Sequence, residues 1–338
     1  MTDAASQALI KVQDLKVQFP VRLDSGGRAL LKAVDGISFS IQAGQTMALV
    51  GESGSGKTAT GKAILQITRP TSGSVSFDGR ELTHLSGRQL RDARKGLQII
   101  FQNPFSSLNP RMTVQALIEE PMRIAGEINA AQRLTRVCEL IDRVGLPRSA
   151  LGELATNFSG GQRQRIAIAR ALAAQARFIV CDEPLSAIDV SLQAQIIALL
   201  QDVKREFGVT YLFISHDLGV VRFLADTIAV MYLGTIVEKG PTEKVLSSPR
   251  HPYTQALIAA VPIPDPGLQK KRKVSLLKGE IPDPTRVRFG CPLCTRCSHS
   301  QARCETEIPS TQMVSDAHEV ACHFWRDLPV HNRVVGTT

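Results

Sequence analysis

The chain has 338 residues and a mass of 36.7 kDa, which is long enough for two domains. Hydrophobic residues make up 43% of it, an ordinary share for a globular protein, and no apolar run approaches the roughly 20 residues that span a bilayer. The formal net charge of +9 is compatible with nucleic acid or an anionic membrane as a partner. Because the charged residues are spread along the chain, the charge does not distinguish between these two partners. The first residues lack the basic start and the apolar core of a secretory signal, so we expect a cytosolic protein.

Two strands with alternating apolar and polar residues are predicted near the start, at residues 10–19 and 33–41. Phe19 ends the first strand and precedes a glycine-rich stretch by about the length of a hairpin. Its ring could stack on an adenine base, or it could be a core residue of the strand. The sequence leaves both interpretations open.

The glycine-rich stretch at residues 51–58 has the sequence GESGSGKT and fits the phosphate-loop pattern G-x-x-x-x-G-K-[ST]. Its glycines allow successive N–H groups to point into one concavity, and an apolar strand before it and a helix after it provide the expected context. Lys57 would reach the β- and γ-phosphates of a nucleotide, and the Thr58 hydroxyl would complete a Mg²⁺ site. The residues predicted to contact the nucleotide in this loop are Gly51, Ser53, Gly54, Ser55, Gly56, Lys57 and Thr58.

A buried strand predicted at residues 96–101 ends at Gln102. Ligands bind at the carboxyl ends of strands in an open α/β sheet, so Gln102 is a candidate to contact Mg²⁺ or an attacking water. Amphipathic stretches then replace the strand patterns. We predict a helical subdomain at about residues 103–172, with helices at 114–125 and 130–144.

A second helix start suited to an anion follows at Ser159, Gly160, Gly161 and Gln162. Ser159 can cap this helix, and the two glycines allow the backbone to approach a ligand closely. One nucleotide does not need two phosphate cradles in the same chain. We therefore expect this segment to contact a nucleotide held by another subunit.

Two further buried strands end in polar residues that suit phosphate chemistry. The first is followed by Asp182, which suits the Mg²⁺ shell, and by Glu183, which could orient or deprotonate a water for in-line attack. The second is followed by His216. Because the two strands are predicted to be neighbours, we interpret His216 as a contact to a γ-phosphate.

These motifs, in this order, resemble those of the ATP-binding cassette of ABC transporters. The resemblance covers about residues 8–245, and a hairpin predicted at 228–238 lies close to the end of this region. The resemblance implies an α/β fold: a phosphate-loop ABC ATPase with a RecA-like core, an antiparallel β-subdomain and a helical subdomain. It also implies a dimer of cassettes with two ATP molecules between them, each held by the phosphate loop of one subunit and residues 159–162 of the other. The positions it implies are Glu183, His216 and Gln102 for catalysis, Thr58, Gln102 and Asp182 for Mg²⁺, and Asp189 for the loop that crosses to the partner cassette.

Residues 246–338 resemble the C-terminal extension of oligopeptide and dipeptide importer ATPases, and residues 99–110 are most similar to their F-type subunit. The resemblance implies a second ATP-binding subunit, either a homologue or a second copy. It also implies two transmembrane permease subunits, an extracytoplasmic peptide-binding protein and a location at the cytoplasmic face of the plasma membrane. Nickel and glutathione importers share this extension, so the cargo stays open.

Two other classes of ABC protein fit this chain less well. Soluble ABC ATPases that act on nucleic acid usually carry two cassettes or a long coiled-coil insert, and exporters usually fuse membrane helices to the cassette or end soon after it. The chain shows one cassette and no sustained heptads, so no nucleic-acid partner is expected. Its compact basic run at residues 270–273 is interpreted as a solvated linker, with a weak contact to anionic lipid as the alternative.

Five of the seven cysteines fall between residues 291 and 322. Such a cluster in a cytosolic protein favours a metal or cluster site over disulfides. Four of them match the family's cysteine positions and imply a [4Fe–4S] cluster; zinc or free buried thiols remain alternatives. Cys294 adds a fifth thiol, which leaves open which four would bind. The four matching positions are Cys291, Cys297, Cys304 and Cys322.

Overall fold

The computed structural model describes most of the chain and forms two units. The described residues are 8–22, 26–103, 107–126, 129–186, 188–261, 277–285 and 289–329. The basic run at 270–273 and residues 104–106 of the segment at 99–110 lie outside them. The first unit comprises residues 8–10, 40–46 and 76–214, and the second comprises the other described residues.

Strands and helices alternate through most of the described chain. The strands are β1 (Ile10–Arg22), β2 (Arg28–Ile41), β3 (Thr46–Val50), β4 (Ser72–Phe77), β5 (Arg80–Glu81), β6 (Leu97–Ile100), β7 (Phe178–Asp182), β8 (Thr210–Ser215), β9 (Thr227–Tyr232), β10 (Thr235–Pro241), β11 (Gln312–Ser315) and β12 (His318–Val320). The helices are α1 (Lys57–Ile64), α2 (Gly87–Ala93), α3 (Val114–Ala125), α4 (Ala130–Arg143), α5 (Gly160–Ala173), α6 (Val190–Phe207), α7 (Leu218–Leu224), α8 (Thr242–Ser247), α9 (Pro252–Ala260) and α10 (Ala302–Thr306). None of the helices in the described part of the chain is both long and apolar enough to cross a membrane.

The first unit contains the parallel strands β6, β7 and β8. Every residue of β7 and β8 is buried, as expected for strands that are covered on both faces, and this explains their nearly continuous apolar sequences. In the register of these strands, Ile100 pairs with Cys181 and Asp182 pairs with Ile214. The carboxyl ends of β6 and β7 therefore lie side by side.

Helices α3, α4 and α5 of the first unit pack against one another through their apolar faces. Two ion pairs join them at the rim: Arg170 to Glu120 at 2.8 Å and Arg133 to Glu119 at 2.9 Å. The predicted helix at 114–125 is confirmed with these bounds, and the predicted helix at 130–144 ends one residue earlier. A capping box formed by Asn129 and Gln132 explains why α4 begins where it does.

The second unit contains the strand order β11-β12-β10-β9-β3. Strand β3 is parallel to β9, whereas β9 and β10 form the predicted antiparallel hairpin. Strands β1, β2 and the first residues of β4 lie side by side in this unit, and the last two residues of β4 pair with β5 in the first. The sequence did not predict the hairpin β11–β12, whose strand β12 pairs antiparallel with β10.

Glu238 on β10 connects this sheet to the C-terminal extension. Its side chain is buried, and it accepts hydrogen bonds from the backbone N–H groups of Arg250 at 2.7 Å and His251 at 3.0 Å, just before α9. The Nε2 atom of His318, at the start of β12, lies 2.8 Å from the same carboxylate. One buried carboxylate thus holds the start of α9 and the hairpin β11–β12 against β10.

The variant Glu238→Ala is expected to lower the free energy of unfolding by about 2–4 kcal/mol. It would leave two backbone donors and a histidine buried without their acceptor. Thermal and urea unfolding of the full chain measure this effect. The matched control is Glu243→Ala on α8, whose carboxylate is largely exposed and which should change stability by less than about 0.5 kcal/mol. Equal stability of the two variants would contradict the role assigned to Glu238.

Candidate functional site

Two glycines of the phosphate loop (residues 51–58) pack directly against neighbouring backbone. A Cβ atom at Gly51 would lie 2.2 Å from the carbonyl oxygen of Met231, and one at Gly56 would lie 2.1 Å from that of Ala33. Both glycines also have positive φ angles, 154° and 104°. No other residue fits either position without moving a strand. The loop between β3 and α1 is therefore built as the sequence predicts.

The interior of the phosphate loop has polar groups suited to an anion. The Lys57 ammonium is buried and donates to the carbonyl oxygens of Gly51 at 2.8 Å and Glu52 at 2.9 Å. The Ser55 hydroxyl is buried, and among the described residues it has no hydrogen-bond partner. The first N–H groups of α1, which begins at Lys57, have no acceptor within their own helix. These features fit a bound phosphate group.

Exposed and buried positions alternate within the loop. Ser53, Gly54 and Thr58 are exposed. Phe19 on β1 is 37% exposed, which leaves ring surface available for stacking and argues against a purely buried role. His216 is exposed between β8 and α7. All of these residues belong to the second unit. Their assigned contacts with a nucleotide stay predictions.

The Glu52 side chain of the phosphate loop is held by Arg296 of the C-terminal extension, a partner that the sequence analysis missed. The guanidinium of Arg296 bonds both carboxylate oxygens, with distances of 2.8 Å (Nη1 to Oε2) and 3.1 Å (Nη2 to Oε1). These hydrogen bonds raise the pKa of Arg296 further above its usual value, so its charge is permanent. The Glu52 N–H donates to the Tyr253 hydroxyl at 2.8 Å.

Two signals in the sequence point to these residues only in retrospect. Glu52 is the one acidic residue in a loop of glycines, serines, lysine and threonine, and Arg296 stands between Cys294 and Cys297. Glu52 and Arg296 are 244 positions apart, and Glu52 and Tyr253 are 201 apart. Pattern analysis cannot pair residues at such separations without the fold.

In the first unit, the structure brings Gln102 and Glu183 together. The Nε2 atom of Gln102 donates to Oε2 of Glu183 at 3.0 Å, beside the adjacent ends of β6 and β7. Glu183 has a φ angle of 46°, a strained left-handed conformation for a residue with a side chain, and its N–H donates to the carbonyl oxygen of Ile214 at 3.0 Å. Asp182 is buried at the end of β7, whereas Glu183 is half-buried. The two consecutive carboxylates therefore occupy different environments.

The helix start at residues 159–162 has the predicted cap. The Ser159 hydroxyl accepts from the Gln162 N–H, and the Gln162 side chain accepts from the Ser159 N–H, which together form a capping box. Ser159 and Gln162 are exposed. Asp189 is also exposed; it precedes α6 as the N-cap residue, and its carboxylate accepts no capping hydrogen bond from the helix. The contact of these residues with a nucleotide of another subunit stays a prediction.

The cysteines of the extension line one small cavity of about 20 Å³ in the second unit. A cavity of this size holds about one water molecule. Within the described part of the chain, no three His, Cys, Asp or Glu side chains are arranged to hold a metal ion. The donor types suit iron–sulfur or zinc, but their arrangement does not, so the structure does not support the predicted [4Fe–4S] cluster. The lining residues with donor atoms are Cys291, Cys294, Cys297, Cys304, Cys322, His251, His299 and His323.

Burial controls the ionisation of these groups. It raises the pKa of Cys291 to about 12 and that of Cys322 to about 11, and it also raises the pKa values of Cys294 and Cys297. Burial lowers the pKa of His251 to about 4. A raised pKa disfavours the thiolate form of these four cysteines, and the thiolate is the nucleophile and the metal ligand.

Two family models match the chain. The model described as "ABC transporter" matches residues 34–186, and the model described as "Oligopeptide/dipeptide transporter, C-terminal region" matches residues 237–304. The first match includes the phosphate loop, Gln102, residues 159–162 and Glu183. The second match includes Arg296 and four of the five clustered cysteines.

Curated relatives match almost the whole chain. The oligopeptide transport ATP-binding protein AppF of Bacillus subtilis (strain 168) is 43% identical over 328 residues, which cover 96% of this chain and 100% of AppF. A putative peptide import ATP-binding protein of Brucella ovis is 44% identical over 314 residues, which cover 93% of this chain and 97% of the relative.

A solved structure confirms the fold. The dimeric cassette MJ0796 in a post-hydrolysis state with bound ADP and Pi aligns with a TM-score of 0.62 and 27% identity. The alignment covers 69% of this chain and 98% of that one. The predicted α/β ATPase fold is confirmed. The chain belongs to the ABC transporter family, among the ATP-binding proteins of oligopeptide and dipeptide transporters.

Proposed function

We propose that the chain is the ATP-hydrolysing motor subunit of a membrane importer of dipeptides and oligopeptides. The observation that carries this proposal is the phosphate loop, whose glycines are fixed by the backbone of Met231 and Ala33 and whose buried Ser55 hydroxyl needs a partner. The peptide-import relatives support the cargo class. The helices α3 to α5 would form the surface that meets the permeases.

The chain's own residues would divide the work of hydrolysis. The phosphate loop and Lys57 would bind the phosphates. Glu183, which accepts a hydrogen bond from the Gln102 side chain, would orient and deprotonate the attacking water. His216 would contact the γ-phosphate, and Phe19 would stack on the adenine. Mg²⁺ would be held by Thr58, Gln102 and Asp182, and it would neutralise charge on the phosphates.

The likeness to a dimeric cassette supports action in pairs. Ser159, Gln162 and Asp189 are exposed at helix starts, and we propose that residues 159–162 and Asp189 complete the nucleotide site of the partner subunit. ATP would close the pair and hydrolysis would release it. We further propose a heterodimer with a homologous cassette, two permeases and an extracytoplasmic peptide-binding protein. The chain would then sit at the cytoplasmic face of the membrane.

Purification of the chain from detergent-solubilised membranes tests this assembly. We expect two permeases and a second ATP-binding subunit to accompany it, and the binding protein of the same system would then identify the cargo. Recovery of the chain alone, or with ribosomes or nucleic acid, would contradict the importer proposal.

The variant Glu183→Gln is expected to lower ATP turnover at least about 100-fold while ATP affinity stays unchanged, because the amide keeps the size of the carboxylate and loses its basicity. Steady-state hydrolysis and equilibrium nucleotide binding measure the two effects. Glu243→Gln on the exposed part of α8 is the matched control and should change neither. Unchanged turnover in Glu183→Gln would remove Glu183 from the role of base.

We make a separate proposal for the cysteine cavity, that it binds an iron–sulfur cluster or zinc, and this proposal rests on the donor atoms of its side chains alone. If it holds an iron–sulfur cluster or zinc, its side chains must move from their present arrangement to surround the metal. Chain purified without oxygen would then contain iron with broad visible absorption, or zinc without it. Purified chain with neither metal would leave the cysteines as buried thiols and overturn the proposal.

A further inference from the structure

The segment that carries the first three clustered cysteines, here called the cysteine turn (residues 291–297), reaches the phosphate loop through one side chain. Arg296 is buried, with 9% of its side chain exposed, and its guanidinium makes a two-bond contact with the Glu52 carboxylate. Paired N–H to oxygen bonds of this kind fix direction as well as distance. The contact therefore restricts the orientation of Glu52.

Glu52 is restrained at every polar group it has. Its carboxylate is bound by Arg296, its N–H by the Tyr253 hydroxyl, and its carbonyl oxygen by the Lys57 ammonium. Two of these three partners come from outside the phosphate loop. The conformation of the loop at this residue is thus set by the C-terminal extension as well as by the loop's own sequence.

Aromatic rings fix the guanidinium of Arg296 from the side. Its Cζ atom lies 5.8 Å from the ring centroid of Tyr232, and its Nη1 atom lies 3.4 Å from the Tyr232 hydroxyl oxygen. The rings of Tyr232 and Tyr253 pack with centroids 4.6 Å apart. A planar guanidinium fits this setting, whereas a lysine ammonium can neither stack nor bond two oxygens in the same way.

The backbone of the cysteine turn holds Arg296 in position. The carbonyl oxygen of Leu293, a fully buried residue, accepts from the N–H groups of Arg296 and Cys297, both at 2.9 Å. The carbonyl oxygen of Arg296 accepts from the N–H of Lys278 at 3.0 Å. The place of the guanidinium therefore depends on the folding of the same turn that supplies Cys291, Cys294 and Cys297.

We propose that Arg296 is a positioning residue for the phosphate loop: by holding Glu52 it sets the affinity of the site for MgATP, and it does so from the cysteine turn. The inference rests on the proposed ATPase function. Arg296 contacts the loop through Glu52, so its loss weakens nucleotide binding without removing a group to which we assign a part in hydrolysis.

The test compares full-length Arg296→Gln and Arg296→Lys with the wild-type chain. We expect the dissociation constant for MgATP to rise about tenfold in Arg296→Gln and by a smaller factor in Arg296→Lys. Lysine keeps the positive charge but cannot bond both carboxylate oxygens as the planar guanidinium does. In the assembled transporter, KM for ATP should rise while kcat at saturating ATP stays within about twofold, the signature of binding lost equally in the ground state and the transition state. A general loss of structure would lower kcat as well.

The matched control is Arg303→Gln, which removes an Arg–Glu pair on α10 of the same extension, where both side chains are exposed. It should leave MgATP affinity unchanged. Glu52→Gln tests the other end of the contact, and the double variant Arg296→Gln/Glu52→Gln should bind MgATP no more weakly than the weaker single variant. If Arg296→Gln fails to fold, Arg296→Lys and Glu52→Gln still decide the question.

Three results would overturn the inference: wild-type affinity in Arg296→Gln, an equal loss in Arg303→Gln, or a double variant whose loss is the product of the two single losses. Failure of the wild-type chain to bind MgATP is a different result. It would overturn the proposed function itself, and the two failures are therefore distinguishable.

Discussion

The phosphate loop depends on two backbone contacts that leave no space for a side chain. Gly51 and Gly56 touch carbonyl oxygens of β9 and β2, and a Cβ atom at either position would overlap them. Because β9 is buried along nearly its whole length, it cannot move aside. The glycines permit the shape of the loop, and the strands enforce it. The shape of the phosphate loop therefore depends on strands of two sheets as much as on its own residues.

The first unit uses a different device to place Glu183, the base that we propose. Glu183 follows the last residue of β7 and takes a left-handed backbone conformation, held by a hydrogen bond to Ile214 and by the side-chain amide of Gln102. Such a conformation persists only where the surroundings over-determine it. The turn gives Glu183 an environment unlike that of the buried Asp182. Two adjacent carboxylates can thus have separate roles.

Local patterns predicted most of this fold. Continuous apolar runs gave β3, β7 and β8, and amphipathic spacing gave α3 and α4, because burial on one or both faces leaves a direct trace in sequence. The hairpin β11–β12 was missed because its strands have three or four residues and join the sheet through distant partners. The contact between Glu52 and Arg296 was also missed, because the two residues are 244 positions apart in the sequence. The cysteine cluster predicted a metal or iron–sulfur site, which the arrangement of the described side chains does not support, because sequence spacing carries no information about the geometry of ligands.

The hairpin β11–β12 has a consequence for how the chain behaves among other proteins. Strand β10 would otherwise be the last strand on its side of the sheet in the second unit, with a row of unpaired N–H and C=O groups facing outward. Exposed edges of this kind recruit strands from other chains and promote aggregation. By pairing with β10, strand β12 moves the edge to β11, which is only four residues long. The extension thus covers part of β10, and pairing of this kind limits edge-to-edge association with other chains.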